Sequence, residues 1–213
     1  MLPDLVRTMT AVRFVQAMRR QRRPASPAEL ARLLDPKFNV TPTIRLLSDI
    51  AVRWVEEPDQ RDIVKTPPRT GKSELFAIWT PVWALMQDTD LANVVVSYSD
   101  ELAQEHSRKA RRIIREYAEF LGYRIAVDKA SVGRWTVEGR TGGLLATGIN
   151  SGVTGMGADL MLIDDPVKDQ SEADSAAHRR RVLSEYRSTL ATRAHPGGSI
   201  CVVQTRWHEQ DLT

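Results

Sequence analysis

The chain has 213 residues, 42% hydrophobic and 27% charged, with a formal net charge of +3 and one cysteine. That is the make-up of one large globular domain, or of one domain with a short arm. Cys201 alone rules out an internal disulfide, no Cys/His cluster has zinc spacing, no apolar run is long enough to span a bilayer, and the N-terminus lacks a secretory h-region, so the expected compartment is a reducing cytoplasm. Charge is unevenly spread: Arg19, Arg20, Arg22 and Arg23 cluster near the start, Arg108 to Arg115 make a basic helix, and Arg179 to Arg181 form a third group. Such clusters are ordinarily solvated faces; the functional alternative is a nucleic-acid backbone.

Residues 4–20, DLVRTMTAVRFVQAMRR, put Leu5, Met9, Val12, Val15 and Met18 near one helical face. The prolines of RRPASPAEL break that pattern, and Ser26 before Pro27 and Glu29 is a helix start, with Ser26 as cap and Pro27 at the first helical position. A third helix is expected over residues 42–56. Together these read as an N-terminal helical arm or lid, residues 1–58, ahead of a core spanning 59–213. In that core RDIVKT reads as a short buried strand, a helix follows Gly71 and Lys72, and NVVVSYS is a β-branched strand. Residues 100–121 form a long amphipathic helix with Ala103, Ala110, Ile113, Tyr117 and Leu121 inward and the arginines outward. RIAVD, RWTVEG and GGLLATG are short strands with hairpins, DLMLID is a continuous apolar strand, residues 171–190 are helical, and SICVVQT is a further apolar strand that buries Cys201. Strands without polar alternation, separated by helices, predict an α/β fold with a mostly parallel central sheet covered on both faces.

KTPPRTGKSEL, residues 65–75, contains Gly71-Lys72-Ser73, the second half of a phosphate-binding loop, between a predicted strand and a predicted helix. In such a loop backbone N–H groups close around phosphates, lysine reaches the β- and γ-phosphates, and the hydroxyl binds magnesium. Thr66 stands where the first glycine would be, and Pro67 and Pro68 have no N–H to donate, so the cradle must come mainly from residues 69–73. The expected nucleotide-binding set is Thr66, Pro67, Pro68, Arg69, Thr70, Gly71, Lys72, Ser73 and Glu74, with Arg69 adding a charge for phosphate. The plain alternative is a chance tripeptide in a helix-start turn.

LMLIDD, residues 160–165, ends an apolar strand in two carboxylates, where charge is costly without a reason. Asp164 suits a magnesium ion held with Ser73, and Asp165 suits polarisation of an attacking water. The alternative is a strand ending in the solvated turn DDPVKD. The glycine-rich run GRTGGLLATGINSGVTGMG reads either as a loop lining the site or a subunit interface, or as tight hairpins.

PPRTGKSEL, VVSYSDELA, TGMGADLMLIDDPVKDQSEADS and VVQTRWHEQDL occur in that order between about residues 62 and 212, and together resemble the N-terminal ATPase region of bacteriophage large terminase subunits. The resemblance implies a P-loop NTPase fold of the ASCE type that binds ATP and magnesium and hydrolyses ATP to drive double-stranded viral DNA into a procapsid. It implies a homo-oligomeric ring at the portal protein, a small terminase subunit as partner, and a host-cytoplasmic location with transient residence at the portal vertex; in isolation the chain is expected to be monomeric and slow. Catalysis would use Asp165, Lys72, Arg69 and Thr205, the last in a coupling motif at Gln204, Thr205 and Arg206. A nuclease domain normally comes next in the family, and since the chain ends at Thr213 no DNA cleavage is expected from it. Three features depart from the pattern. The Arg-Gly pair that supplies an arginine finger is here Thr154-Gly155, leaving Arg140, Arg193, Arg206 or none. An adenine-reading glutamine is missing from NVTPTIRLLSDI. The third is that no nuclease domain follows Thr213; Arg69 ahead of Gly71-Lys72-Ser73 is, by contrast, similar to the family's deviant Walker A loop. A helicase-like ATPase, or a nucleotide- and DNA-binding assembly module without hydrolysis, are the other readings; the missing glycine and finger favour the second, and the two carboxylates oppose it.

Overall fold

The computed structural model describes residues 23–151 and 157–212. The helix expected over residues 4–20, Arg19, Arg20 and Arg22, and the Thr154-Gly155 pair lie outside the described residues.

Two capped helices come first. In α1, Pro27–Leu34, the Ser26 hydroxyl accepts the Glu29 N–H at 3.2 Å. In α2, Pro42–Glu56, Thr41 does the same for Ile44 at 3.2 Å. Each cap satisfies a helix-end donor that would otherwise be orphaned. Leu30, Ala31, Ile44, Leu47 and Trp54 from these helices share one hydrophobic cluster with Leu75 and Phe76, and the Trp54 and Phe76 rings stack with centroids 4.7 Å apart. Burying such side chains fully is worth about 1.5–3 kcal/mol each, which anchors α1 and α2 to the core.

Strand β1, Arg61–Lys65, leads through the loop into α3, which runs as Lys72–Glu74, a π-helical turn Leu75–Trp79, and Thr80–Gln87. The wide turn has a cause in Pro81, which lacks an N–H and crowds the preceding turn. The Thr80 backbone N–H and hydroxyl both bond the Leu75 carbonyl instead, the hydroxyl at 2.9 Å. The remaining elements are β2 (Ala92–Ser97), α4 (Asp100–Leu121), β3 (Ile125–Ala130), β4 (Arg134–Val137), β5 (Gly143–Gly148), β6 (Ala158–Asp164), α5 (Gln170–Asp174), α6 (Ala176–Glu185) and β7 (Ala194–Gln204). Among the described residues no helix is long and apolar enough to cross a membrane.

Seven strands form one sheet in the order β1-β7-β6-β2-β5-β4-β3. The first five are mutually parallel, and β4 and β3 add an antiparallel extension. Alternation within the central strands feeds two cores. Val94, Val96, Met161, Ile163, Ile200 and Val202 face α6, whereas Val95, Leu160, Leu162, Cys201 and Val203 face the α1–α4 side. Coverage on both faces explains the unbroken apolar runs of β2 and β6.

Several local expectations need correction. β1 is an edge strand with alternating exposure, not a buried one, because β7 pairs with only one of its sides. On α4, Ile114 is fully buried and Ile113 and Tyr117 only partly; the helix kinks at Tyr117. Arg111 faces inward, its guanidinium donating to the Ala130 carbonyl, while Arg108, Arg112 and Arg115 are exposed. Residues 171–190 are not one helix: Ser175 ends α5 and caps α6, accepting the His178 N–H at 3.3 Å. β7 begins at Ala194, well before the SICVVQT run, because its start pairs with Ala158.

Candidate active site

Parallel pairing of β1 with β7 and of β7 with β6 brings their C-terminal ends side by side. Each of the three ends carries a motif legible in the sequence: residues 66–74 come directly after β1, Asp164 and Asp165 close β6, and Thr205 comes directly after β7.

The loop is held by its own short side chains. The Thr66 and Thr70 hydroxyls are 3.2 Å apart, and Thr70 also donates to the Pro67 carbonyl at 3.1 Å. Arg69 and Gly71 both have left-handed backbones, with φ of +61° and +82°. Glycine adopts that conformation freely, whereas for arginine it stores roughly 1–3 kcal/mol of strain. A Cβ on Gly71 would also sit 3.1 Å from the Ile44 side chain, so α2 packs directly under the loop. Pro67, Pro68, Arg69 and Glu74 are exposed, and no hydrogen bond or ion pair joins Arg69 or Glu74 to the cluster among the described residues.

Lys72 is only 6% exposed, and its ammonium donates to Thr205 Oγ1 at 3.1 Å and pairs with Asp165 Oδ2 at 2.8 Å. The Thr205 N–H donates to the other Asp165 oxygen at 2.8 Å. Asp165 reaches this position because its own backbone turns left-handed at φ +43°, which aspartate tolerates better than most residues. Its N–H meanwhile extends the ladder to the Val203 carbonyl at 2.8 Å. Burial, and then the neighbouring Asp164 charge, push the Asp165 carboxyl above its ordinary range, against the opposing pull of Lys72 and the Thr205 N–H.

Asp164 is 1% exposed. Its Oδ1 accepts the Ser73 hydroxyl at 3.0 Å, and its Oδ2 lies 3.4 Å from His106 Nε2. The cluster therefore offers two hard oxygen donors, Ser73 and Asp164, beside a buried ammonium and a second carboxylate. Such a set suits a small divalent cation next to a phosphate chain.

Two supporting residues, His106 and Asp211, escaped the sequence patterns, and a third, Gln204, was read there only as part of the coupling motif. His106 sits among the inward positions of α4, three residues after Ala103 and four before Ala110; that spacing was its signal. Asp211 Oδ2 accepts the Trp207 and His208 N–H groups at 2.8 Å each, and the buried Gln204 amide donates to the Leu212 carbonyl at 3.0 Å. Together Asp211 and Gln204 fix the loop that starts with Thr205.

The arginines nominated as fingers separate by position. Arg140 pairs with Asp90 at 3.6 Å just before β5, and Arg193 immediately precedes β7, so both lie at the N-terminal ends of the parallel strands, opposite the cluster. Arg206 is exposed beside Thr205. The glycine run divides likewise. Gly142 and Gly143 serve the β4–β5 turn, whereas Gly148 lies at the site end, where a Cβ would come within 2.7 Å of the Asp100 nitrogen. Two open grooves of about 480 and 490 Å³ flank the C-terminal part of α4; Arg140 lines the first and Arg115 of the basic helix the second, and neither groove is lined by a residue of the strand-end cluster.

A family model described as "Terminase large subunit, T4likevirus-type, N-terminal" matches residues 63–213. No curated protein matches the chain.

Proposed function

Because the chain belongs to the terminase large subunit family, T4-like virus type, in its N-terminal region, we propose that it hydrolyses magnesium-ATP to drive double-stranded viral DNA into a procapsid. The family is that of DNA-packaging motor ATPases, whose general partners are DNA, the portal and the small subunit. The observation that carries the reading is the convergence of Ser73 on Asp164 at 3.0 Å, Lys72 on Asp165 at 2.8 Å and Lys72 on Thr205 at 3.1 Å, three strand ends meeting at one point.

Ser73 and Asp164 would hold magnesium, which when bound neutralises charge on the β- and γ-phosphate oxygens. Lys72 would leave Asp165 for the phosphates, exchanging one anionic partner for another, and Arg69 would add a second positive charge from the exposed side of the loop. Release of Lys72 frees Asp165 Oδ2 to accept a proton from the attacking water. The Thr205 N–H keeps the other oxygen in place, and Thr205 Oγ1 is left to bond the water or the γ-phosphate. Arg108, Arg112 and Arg115, exposed along α4, offer a sequence-independent contact to DNA phosphates.

Both Asp165 oxygens are engaged, by Lys72 and by Thr205. That favours a second reading, a module that binds nucleotide without hydrolysis. Asp165→Asn separates the two: a hydrolase loses phosphate release while keeping ATP affinity, and a module with no turnover shows no change in either. The primary reading fails if the variant hydrolyses ATP at the wild-type rate.

A further inference from the structure

Beneath the cluster lies a group of polar atoms that the proposed chemistry does not use. His106 is 6% exposed and neither of its ring nitrogens has a hydrogen-bond partner; Asp164 Oδ2 and Ser97 Oγ are likewise buried without one. They lie together. Val96 of β2 pairs with Ile163 of β6, so the next residues up the two strands are Ser97 and Asp164. Val95 and Leu162, two residues below them on the strands, point into the α1–α4 side of the sheet, so Ser97 and Asp164 point there too. α4 covers that face, and His106 stands on its inward side, with Nε2 3.4 Å from Asp164 Oδ2.

Buried polar groups are rarely left unpaired without a reason. Filling this position for packing alone would need no nitrogen, and an apolar residue would match Ala103, Ala110 and Ile114 on the same stripe. Asp164 already commits one oxygen to Ser73, so the free rotation of its carboxylate is limited by whatever holds the other. A side chain that acts on a metal ligand in this way sets the ligand's orientation, and its loss typically weakens metal binding about 10- to 100-fold.

We propose that His106 is a positioning residue for the divalent cation: its imidazole, with Nε2 3.4 Å from Asp164 Oδ2, stands against that carboxylate and holds it in the orientation in which Oδ1, beside the Ser73 hydroxyl, meets the metal. The inference rests on the reading of Asp164 and Ser73 as the cation ligands. It assigns the buried face of α4 a part in metal affinity that is separate from ATP contact, since His106 touches neither the loop lysine nor Thr205 among the described contacts.

The test is the ratio of fluorescent ATP-analogue dissociation constants measured in EDTA and in saturating Mg2+, a binding readout independent of turnover. It is taken for the wild type, His106→Leu, His106→Gln, His106→Asn and Asp164→Asn, with thermal unfolding checked for each. Positioning predicts that His106→Leu lowers the ratio about 10-fold or more while its EDTA affinity matches the wild type. His106→Gln, which keeps an N–H near the ε position, should recover most of it. A wild-type ratio in a folded His106→Leu protein overturns the proposal even if Asp164→Asn collapses the ratio, which would leave the ligand reading standing. Unchanged ratios in both overturn the ligand reading and this inference with it. Should His106→Leu fail to fold, the His106→Gln and His106→Asn pair decides: equal ratios in these two, whose amide nitrogens sit at different reach, would overturn it.

Discussion

Replacing Lys72 by methionine keeps the bulk of the side chain and removes the ammonium that lies 2.8 Å from Asp165 and 3.1 Å from Thr205. Asp164 and Asp165 then remain as adjacent carboxylates, 1% and 24% exposed in their side chains, without that charge. Breaking a buried pair by deleting one partner costs about 3–5 kcal/mol, and the partial hydration of Asp165 places the cost at the lower end. We expect a loss of about 3 kcal/mol, which at an m-value of about 2–3 kcal/mol/M moves the urea midpoint down by about 1–1.5 M. If charge is the cause, Asp165→Asn added to Lys72→Met should recover at least about 1 kcal/mol, a coupling typical of residues in direct contact. Equilibrium urea unfolding of the four proteins of this cycle, followed by tryptophan fluorescence, measures both. A Lys72→Met protein within about 0.5 kcal/mol of wild type, or a double variant no more stable than the single, would rule out this electrostatic cause.

Burial pushes the Cys201 thiol far above its ordinary range, so a thiol-specific reagent at pH 8 should react with the folded protein only at the rate of unfolding and at once in denaturant. Asp100 is raised by burial but lowered overall by hydrogen bonds from Ser151, the Gly148 N–H and Thr147. With a folded pKa below the unfolded one, it adds stability above about pH 4 that is lost as pH falls through the folded value. Asp100→Asn should therefore flatten the acid limb of an unfolding-versus-pH curve, and an unchanged limb would exclude that role. Changing Arg108, Arg112 and Arg115 together to glutamate should abolish DNA binding and leave the melting temperature within a few degrees; DNA affinity and salt slope equal to wild type would remove α4 from the DNA surface.

The sequence was legible where one physical cause dominated. Ser26 sits one residue before Pro27 and caps its helix as its sequence reads, and in the structure Thr41 does the same before Pro42 for the helix over 42–56. The apolar runs of β2 and β6 declare strands buried on both faces, and the motif residues fall at strand ends because those ends are where the parallel sheet opens. What escaped depended on partners distant in sequence. RDIVKT looks like an interior strand by composition, yet its edge position is decided by which strand pairs beside it. Arg111 looked solvated because its acceptor, the Ala130 carbonyl, belongs to a strand formed 19 residues later. His106 lay in plain view on an apolar stripe, but its meaning needed the 3.4 Å approach to Asp164, across 58 residues of chain. Asp165 carried a backbone conformation, φ +43°, that no residue pattern announces.

Whether the loop between β1 and α3 is a working ATPase site is decided by steady-state phosphate release from magnesium-ATP over a wide range of protein concentration, for the wild type beside a Lys72→Met protein assayed below its own unfolding midpoint. Turnover should be present in the wild type and vanish in the variant, with specific activity rising with concentration if Arg206 or another arginine of a neighbouring copy completes the site. Equal phosphate release from the two folded proteins would mean that catalysis does not pass through Lys72, and the proposed site would fall with it.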